Sequence, residues 1–293
     1  MNRRIMAWAL VLFAGSAILF LALSLRPRQG GGDGALSDIR RRGVIRVGYA
    51  IEPPYAFLSG TKEVDGQSPA LAKYVCERLG VARIEWRLYE FGALIDALID
   101  GNIDMIAAGM FITPQRSRLV RFSLPIFHVR QGLLVAKGNP RRLHSYVQAL
   151  ADPWVKIAVL SGSVEETLLR RIGFPDGQLV PVPDAETGLQ AVGAGVADGF
   201  ALSSPSINWM VMRQAAGATE RAVPFEQPSE KLSGALGYGA FAFRKEDASL
   251  AEAVDAELAA FLPTPRYLGM IARYGFTVEE SPGEADPREN PRQ

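Results

Sequence analysis

Residues 91–116 read FGALIDALIDGNIDMIAAGMFITPQR. Phe91, Leu94, Ile95 and Leu98 recur at the spacing of one helix face, Gly101 stops that helix, and residues 103–107 around Asp104 form a short apolar strand. The same unit returns at residues 187–201, with Leu189 and Val192 on a helix, Gly195 after it, and a strand over 196–201. Another apolar strand running into a polar or glycine turn precedes each copy, at 44–48 and at 156–160. Strands alternating with helices in this way predict two α/β lobes with mostly parallel sheets. In such sheets ligands bind beyond the carboxyl ends of the strands.

Composition narrows the classes of function. The 293 residues are 48% hydrophobic, enough for a buried core. Thirty-two basic residues against 31 acidic ones give a net charge of +1. That balance lacks the basic excess that binding nucleic acid through its phosphates requires, so no nucleic-acid partner is expected. One cysteine, Cys76, and two histidines, His128 and His144, do not suffice for a structural zinc site or a disulfide framework. No metal or cofactor is expected.

The two ends carry no fold. After Arg3 and Arg4 comes an uncharged apolar run, residues 5–25, about as long as a bilayer core when helical. Residues 1–25 therefore read as a signal peptide, with Ala22 and Ser24 as a small-residue cleavage site, or as a retained membrane anchor. Either way the folded part is expected outside the cytoplasm, in the periplasm or an equivalent space. The glycine-rich stretch RPRQGGGDG makes residues 26–36 a linker, and residues 279–293, rich in Pro, Glu and Arg, a disordered tail.

The candidate site lies on the loops that follow the strands. Glu52 and Tyr55 sit on a proline-stiffened loop after the first strand, and Gly109, Phe111 and Arg116 follow the strand around Asp104. Ser163 and Val164 follow the strand at 156–160, and Ser203 follows the last. Thr113 and Pro114 form a helix start, as N-cap and first helical residue. Arg116 then falls in the first turn, where a cation opposes the helix dipole and needs another partner. One reading is a carboxylate ligand held by the guanidinium with help from N–H groups around Gly109. The other is an internal salt bridge to Asp104 or Glu52. Tyr55, Phe91 and Phe111 form either a box for a delocalised cation or ordinary core. A carboxylate, an aromatic wall and an arginine together suit a zwitterion.

The stretches VIRVGYAIEPPYAF, FGALIDALIDGNIDMIAAGMFITPQRS, VRFSLPIF and GYGAFAFRKED resemble the polar-solute receptors of bacterial ABC importers, solute-binding protein family 3, over residues 37–277. The resemblance implies a periplasmic-binding-protein-like fold of type II, two lobes joined by two hinge strands. It also implies an extracytoplasmic receptor that closes on a small solute and delivers it to a membrane permease. Lobe 1 is expected at residues 37–136 and 238–278 and lobe 2 at 137–237, with the chain crossing near 135–139 and returning near 237–243. In amino-acid-binding members the arginine matching Arg116 holds the α-carboxylate. Phe111 and Ser203 depart from that pattern, since a hydroxyl residue and a carboxylate usually stand there. The departures resemble the ectoine and hydroxyectoine receptors of the family, whose binding residues match Glu52, Tyr55, Phe91, Gly109, Phe111 and Arg116. Val164 and Glu165, after Ser163, are similar to their second-lobe loop. The solute so implied is ectoine-like, with an amino acid as the alternative.

Two other classes compete: a dehydratase-like enzyme, and a tethered sensor that signals through another chain. Cys76 reads as a small buried residue of a helix over 69–79, His128 and His144 lack an evident carboxylate partner, and Gly193, Gly195 and Gly199 do not give dinucleotide spacing. No catalytic residue is assigned. Trp209, Met210 and Met212 are expected to pack in lobe 2.

Overall fold

The computed structural model describes residues 34–213, 217–229, 237–262 and 264–283. The predicted signal peptide or anchor, residues 1–25, and most of the predicted linker and tail lie outside the described residues. Two predicted boundaries shift. The helix Ala35–Arg42 begins inside the expected linker, and a short 3-10 turn, Val278–Glu280, capped by Thr277, carries order into the expected tail.

Each half of the sequence repeat builds one five-stranded sheet, and β2 (Phe57–Leu58) and β3 (Val64–Asp65) pair as a separate two-stranded ribbon. The strands of the first are β1 (Val44–Tyr49), β4 (Arg83–Leu88), β5 (Met105–Ile106), β6 (Arg121–Phe122) and β14 (Ala242–Phe243), in the order β4-β1-β5-β14-β6. The second contains β8 (Gln131–Ala136), β9 (Ile157–Leu160), β10 (Leu179–Val182), β11 (Gly199–Ser203) and β12 (Thr219–Arg221), in the order β10-β9-β11-β8-β12. In each sheet the strands of the repeat pair in parallel, while the added pairings of β14, β6, β8 and β12 are antiparallel. Two of the repeat's strands are shorter than the sequence predicts. β5 starts after Asp104 and β11 starts at Gly199, since Asp104 and Asp198 are turn residues whose carboxylates accept backbone N–H groups of Arg46 and Lys156.

The second sheet claims more chain than expected. Residues 131–136, expected in lobe 1, form β8, which runs antiparallel to β11 from Gln131 opposite Ser203 to Val135 opposite Gly199. The chain therefore crosses between β7 (Phe127–His128) and β8, ahead of the predicted 135–139. The later passage runs through β13 (Tyr238–Gly239). β7 and β13 pair as a two-stranded antiparallel ribbon, with the His128 and Tyr238 rings stacked 4.2 Å apart. An apolar run carries no mark of which sheet it will join, and β8 after Gln131 is such a run.

Helices cover the sheets with their apolar faces. Ile39, Leu71, Val75, Leu250, Val254 and Leu258 line one core around β1, together with Tyr55, Phe111 and Phe127. Helix Leu94–Ile99 contributes Leu94 and Leu98 to a second core that runs on into Leu160, Val192 and Phe200 of the other half. A third, around Leu133, Ile157 and Tyr146, belongs to the second half. Cys76 is buried in helix Gln67–Arg78, and burial pushes its thiol up to about 12, so it is not a reactive thiolate at neutral pH. Trp209 and Met210 pack as expected, but Met212 is 71% exposed, because it lies on the outer side of helix Ser204–Arg213.

Candidate functional site

The loop after β1 is closed by its own backbone. Glu52 N–H donates to the Ala56 carbonyl at 2.9 Å and Ala56 N–H donates back at 3.1 Å, which fixes Glu52 and Tyr55 on one tight turn. Tyr55 rests on Gly109, whose φ is +68°. A Cβ at that position would lie 2.5 Å from Tyr55 Cγ. The Gly109 N–H, expected to help hold an anion, instead donates to Ser68 Oγ at 3.2 Å. Gly109 thus serves as the seat of the tyrosine ring rather than as an N–H donor to the cleft.

The three predicted aromatics do not form one box. Tyr55 and Phe111 meet edge to face at 6.4 Å and share a cluster with Phe127 and Phe276. Phe91 stands apart in the other core, beneath the Arg116 guanidinium at 5.4 Å. Burial also decides the state of the Tyr55 phenol: its acidity is weakened well beyond the usual range, so it remains an O–H donor.

Thr113 and Pro114 start helix Pro114–Ser117 as predicted, the threonine Oγ1 accepting the Arg116 N–H at 3.2 Å. That cap aims the Arg116 side chain inward, where it is 9% exposed. Nη1 donates to the Phe111 carbonyl and Nη2 to the Gly162 carbonyl of the second half, both at 2.9 Å. Neither candidate ion pair is made. Asp104 is taken by Arg42, Arg46 and Arg244, with Arg46 Nη2 at 2.6 Å. Among the described residues no carboxylate lies within 4 Å of Arg116. Burial lowers the Arg116 pKa to about 10, while Glu165 and Glu52 act at longer range to sustain its charge. A buried cation facing only carbonyl oxygens is several kcal/mol short of its hydration, roughly, and is a ready partner for an anion.

A second connection between the halves is a relay of side chains. Tyr55 O–H donates to Ser203 Oγ at 3.0 Å, Ser203 to Ser206 Oγ at 3.2 Å, and Ser206 to Glu52 Oε1 at 3.0 Å. Ser203 ends β11 and Ser206 lies one turn on, so the second half binds both polar groups of the first loop. Burial, reinforced by Glu165, pushes the Glu52 carboxyl up to about 8. Burial likewise takes Glu165 up to about 7, against the pull of its own backbone N–H, Arg116, Gln131 and Ser163.

Ser163 caps helix Val164–Ile172, its Oγ accepting the Glu166 N–H at 3.1 Å, and Val164 packs into the core that holds Tyr55 and Phe111. Sequence reasoning missed four participants: Gly92, Gln131, Gly162 and Ser206. A Cβ on Gly162 would lie 2.6 Å from the Gly92 Cα, so two glycines let the halves touch. The glycine after β9 was the visible signal; its partner 70 positions earlier was not. On the other side, Phe57 packs on Trp209 at 5.2 Å.

Two sheets, a paired crossing ribbon and loops meeting beyond the strand ends are the layout of a two-lobed binding protein, and the sequence comparison decides the family. The model of the bacterial extracellular solute-binding proteins, family 3, matches residues 45–277. The chain belongs to this family. It is 31% identical over 268 residues to a probable amino-acid ABC transporter periplasmic-binding protein of Sinorhizobium fredii, covering 91% of this chain and 86% of the relative. A membrane-bound lytic murein transglycosylase F of Yersinia enterocolitica is 30% identical over 168 residues, and there the match spans 55% of this chain and 33% of the relative. Among solved structures, EhuB in complex with hydroxyectoine has a TM-score of 0.76 at 33% identity, covering 83% of this chain and 92% of that one. A mutant of ArgBP from T. maritima has a TM-score of 0.73 at 26% identity, covering 82% and 99%. An ancestral amino acid-binding protein, a precursor of cyclohexadienyl dehydratase, has a TM-score of 0.72, also at 26% identity and with the same coverage.

Membership makes the chain an extracytoplasmic solute-binding protein of the ABC amino-acid transporter family, whose partners are a small solute and a membrane permease. Among the described residues no helix is long and apolar enough to cross a membrane. Within the same residues no cluster of histidine, cysteine and carboxylate side chains is suited to a metal ion.

Proposed function

We propose that this protein is the receptor of an ABC importer for a small zwitterion of the ectoine and hydroxyectoine type, bound between the lobes. The observation that carries the reading is Arg116, a buried guanidinium facing carbonyl oxygens and the Phe91 ring without a carboxylate partner. Two of its five N–H groups are used, and the others remain for a ligand carboxylate. Glu52, Tyr55 and Phe111 then receive the cationic end, a delocalised amidinium whose spread charge suits ring faces. Gly109 backs Tyr55, and Ser163, Val164 and Ser203 form the closing wall. The ribbon β7/β13 is the hinge, placing the first lobe at residues up to 130 and again from 238.

A second reading has one specific observation in its favour. Glu52 and Glu165 are both buried acids near the site, and a cationic amino acid would suit two carboxylates better than a zwitterion of zero net charge. ArgBP, similar at 26% identity, fits that alternative. The acids are shifted upward, to about 8 and about 7, so at neutral pH the pair is partly protonated and the cleft is less acidic than its residue count suggests. We therefore place the zwitterion first. No enzymatic role is proposed. A solute recovered chemically changed after incubation with the protein would point instead to a dehydratase-like activity.

Calorimetry with ectoine, hydroxyectoine, betaines, arginine and neutral amino acids tests the reading. The expected result is 1:1 binding of an ectoine. Arg116→Ala should lose at least about 3 kcal/mol, roughly a hundredfold in affinity, as expected for two charge-assisted hydrogen bonds. Binding of arginine alone favours the second reading, and Arg116→Ala binding like wild type rejects the site.

A further inference from the structure

We propose that Glu165 and Gln131 form a polar subsite on the second lobe that takes a hydroxyl group of the bound solute, so that this pair selects hydroxylated zwitterions over their unhydroxylated counterparts. The inference rests on the zwitterion reading of the cleft. Glu165 stands in the first turn of helix Val164–Ile172 and Gln131 opens β8; they are 3% and 4% exposed. Glu165 Oε1 and both Nε2 and Oε1 of Gln131 are buried without a hydrogen bond of normal geometry, although the Gln131 and Ser163 side chains lie near enough to the Glu165 carboxyl to draw its pKa down. Buried polar atoms are nearly always partnered, so three such atoms in two adjacent side chains mark a place where a partner belongs.

Both residues stand beside the contacts between the halves, Gln131 opposite Ser203 in the register of β8 and β11 and Glu165 next to Val164, which packs with Tyr55 and Phe111. The Gln131 backbone is fully engaged, its N–H donating to Gln227 Oε1 at 3.0 Å and its carbonyl accepting from Gln227 Nε2 at 2.9 Å and Ser204 Oγ at 3.1 Å. The strand is thereby pinned by its backbone, while the side-chain amide makes no hydrogen bond of normal geometry. The neighbouring hydroxyl, Ser163 Oγ, accepts the Glu166 N–H, and its own proton helps draw the Glu165 pKa down. Glu165 also acts electrostatically on Glu52, Tyr55 and Arg116, the polar groups that face it from the first lobe, and on Tyr146 from its own.

The unused set comprises two acceptor oxygens and one amide donor. A hydroxyl brings one proton and two lone pairs and answers both kinds. A cationic donor would leave Gln131 Nε2 unmet, and an anionic group would meet Glu165 with like charge. Sites built to hydrogen-bond a hydroxyl discriminate strongly against the analogue without it, because their own buried groups are then left unpaired.

Ectoine and hydroxyectoine differ by that one group, so calorimetric titration of the purified full-length protein with both is the test. Wild type should bind hydroxyectoine at least about tenfold more tightly. Glu165→Ala should bring the ratio of the two affinities to within about threefold of unity, whatever common shift in both affinities the lost charge produces. Glu165→Gln, which keeps the volume, should retain part of the preference, and Gln131→Leu should reduce it. Equal affinities in wild type overturn the inference. So does a parallel loss of both affinities in Glu165→Gln with unchanged melting, which would mark a general effect on the cleft. If wild type binds neither solute, the zwitterion reading itself fails and takes this inference with it.

Discussion

At the scale of single residues, the cleft is governed by groups whose charge is unsettled by burial. Glu52 and Glu165 hold their protons more tightly in the folded protein than in the unfolded chain. Raised acids stabilise the fold below the ordinary carboxylate range, and that contribution is lost as pH rises through about 7 for Glu165 and about 8 for Glu52. Arg116, lowered to about 10, is protonated in both states over this interval and adds no slope. The melting temperature of the unliganded protein, measured from about pH 5 to about pH 8.5, should therefore fall relative to that of the Glu52→Gln, Glu165→Gln double variant. Parallel profiles would show that the two acids are not buried as described. Gly109 yields a second expectation. Its positive φ and the 2.5 Å approach to Tyr55 mean that Gly109→Ala strains the turn and displaces the ring. A loss of about 1–3 kcal/mol in denaturant unfolding, with weaker solute binding, is expected; unchanged binding would separate the ring from the site.

At the scale of elements, the sequence disclosed what is local and concealed what is distant. The repeat of helix, glycine and strand was legible because period and punctuation are local properties, and the Thr113 cap because Thr-Pro is a start signal in itself. The loops after the strands were legible for the same reason, which is why Glu52, Tyr55, Phe111 and Arg116 could be named before the fold. The role of Gly109 was not, since the hydroxyl that takes its N–H, Ser68, stands on another helix. Ser206 escaped notice because its carboxylate partner is 154 positions away in the chain. The sheet joined by β8 depends on pairing with β11 and β12, which hydrophobic pattern alone does not specify. Where two turns meet across the cleft, the test is steric. Gly162 has φ +76° and faces the Gly92 backbone, so Gly162→Ala should hold the lobes apart while each keeps its own core. Solution scattering should show a larger radius of gyration for the variant with solute present. An unchanged radius would mean that the lobes do not meet there.

At the scale of the molecule, contacts between the halves are made by the residues proposed to bind the solute. Arg116 reaches the Gly162 carbonyl, Tyr55 and Glu52 reach Ser203 and Ser206, and Phe57 reaches Trp209. On the proposed reading, a solute that engages Arg116 and Glu52 would act on the same contacts that join the halves, which would couple occupancy to the shape offered to the permease. The most direct measurement is a crystal structure of the protein with hydroxyectoine in the cleft. The solute carboxylate should lie within hydrogen-bond distance of the Arg116 guanidinium, with its ring against Tyr55 and Phe111. A carboxylate seated on other donors, with Arg116 still turned to the Phe111 and Gly162 carbonyls alone, would contradict the assignment.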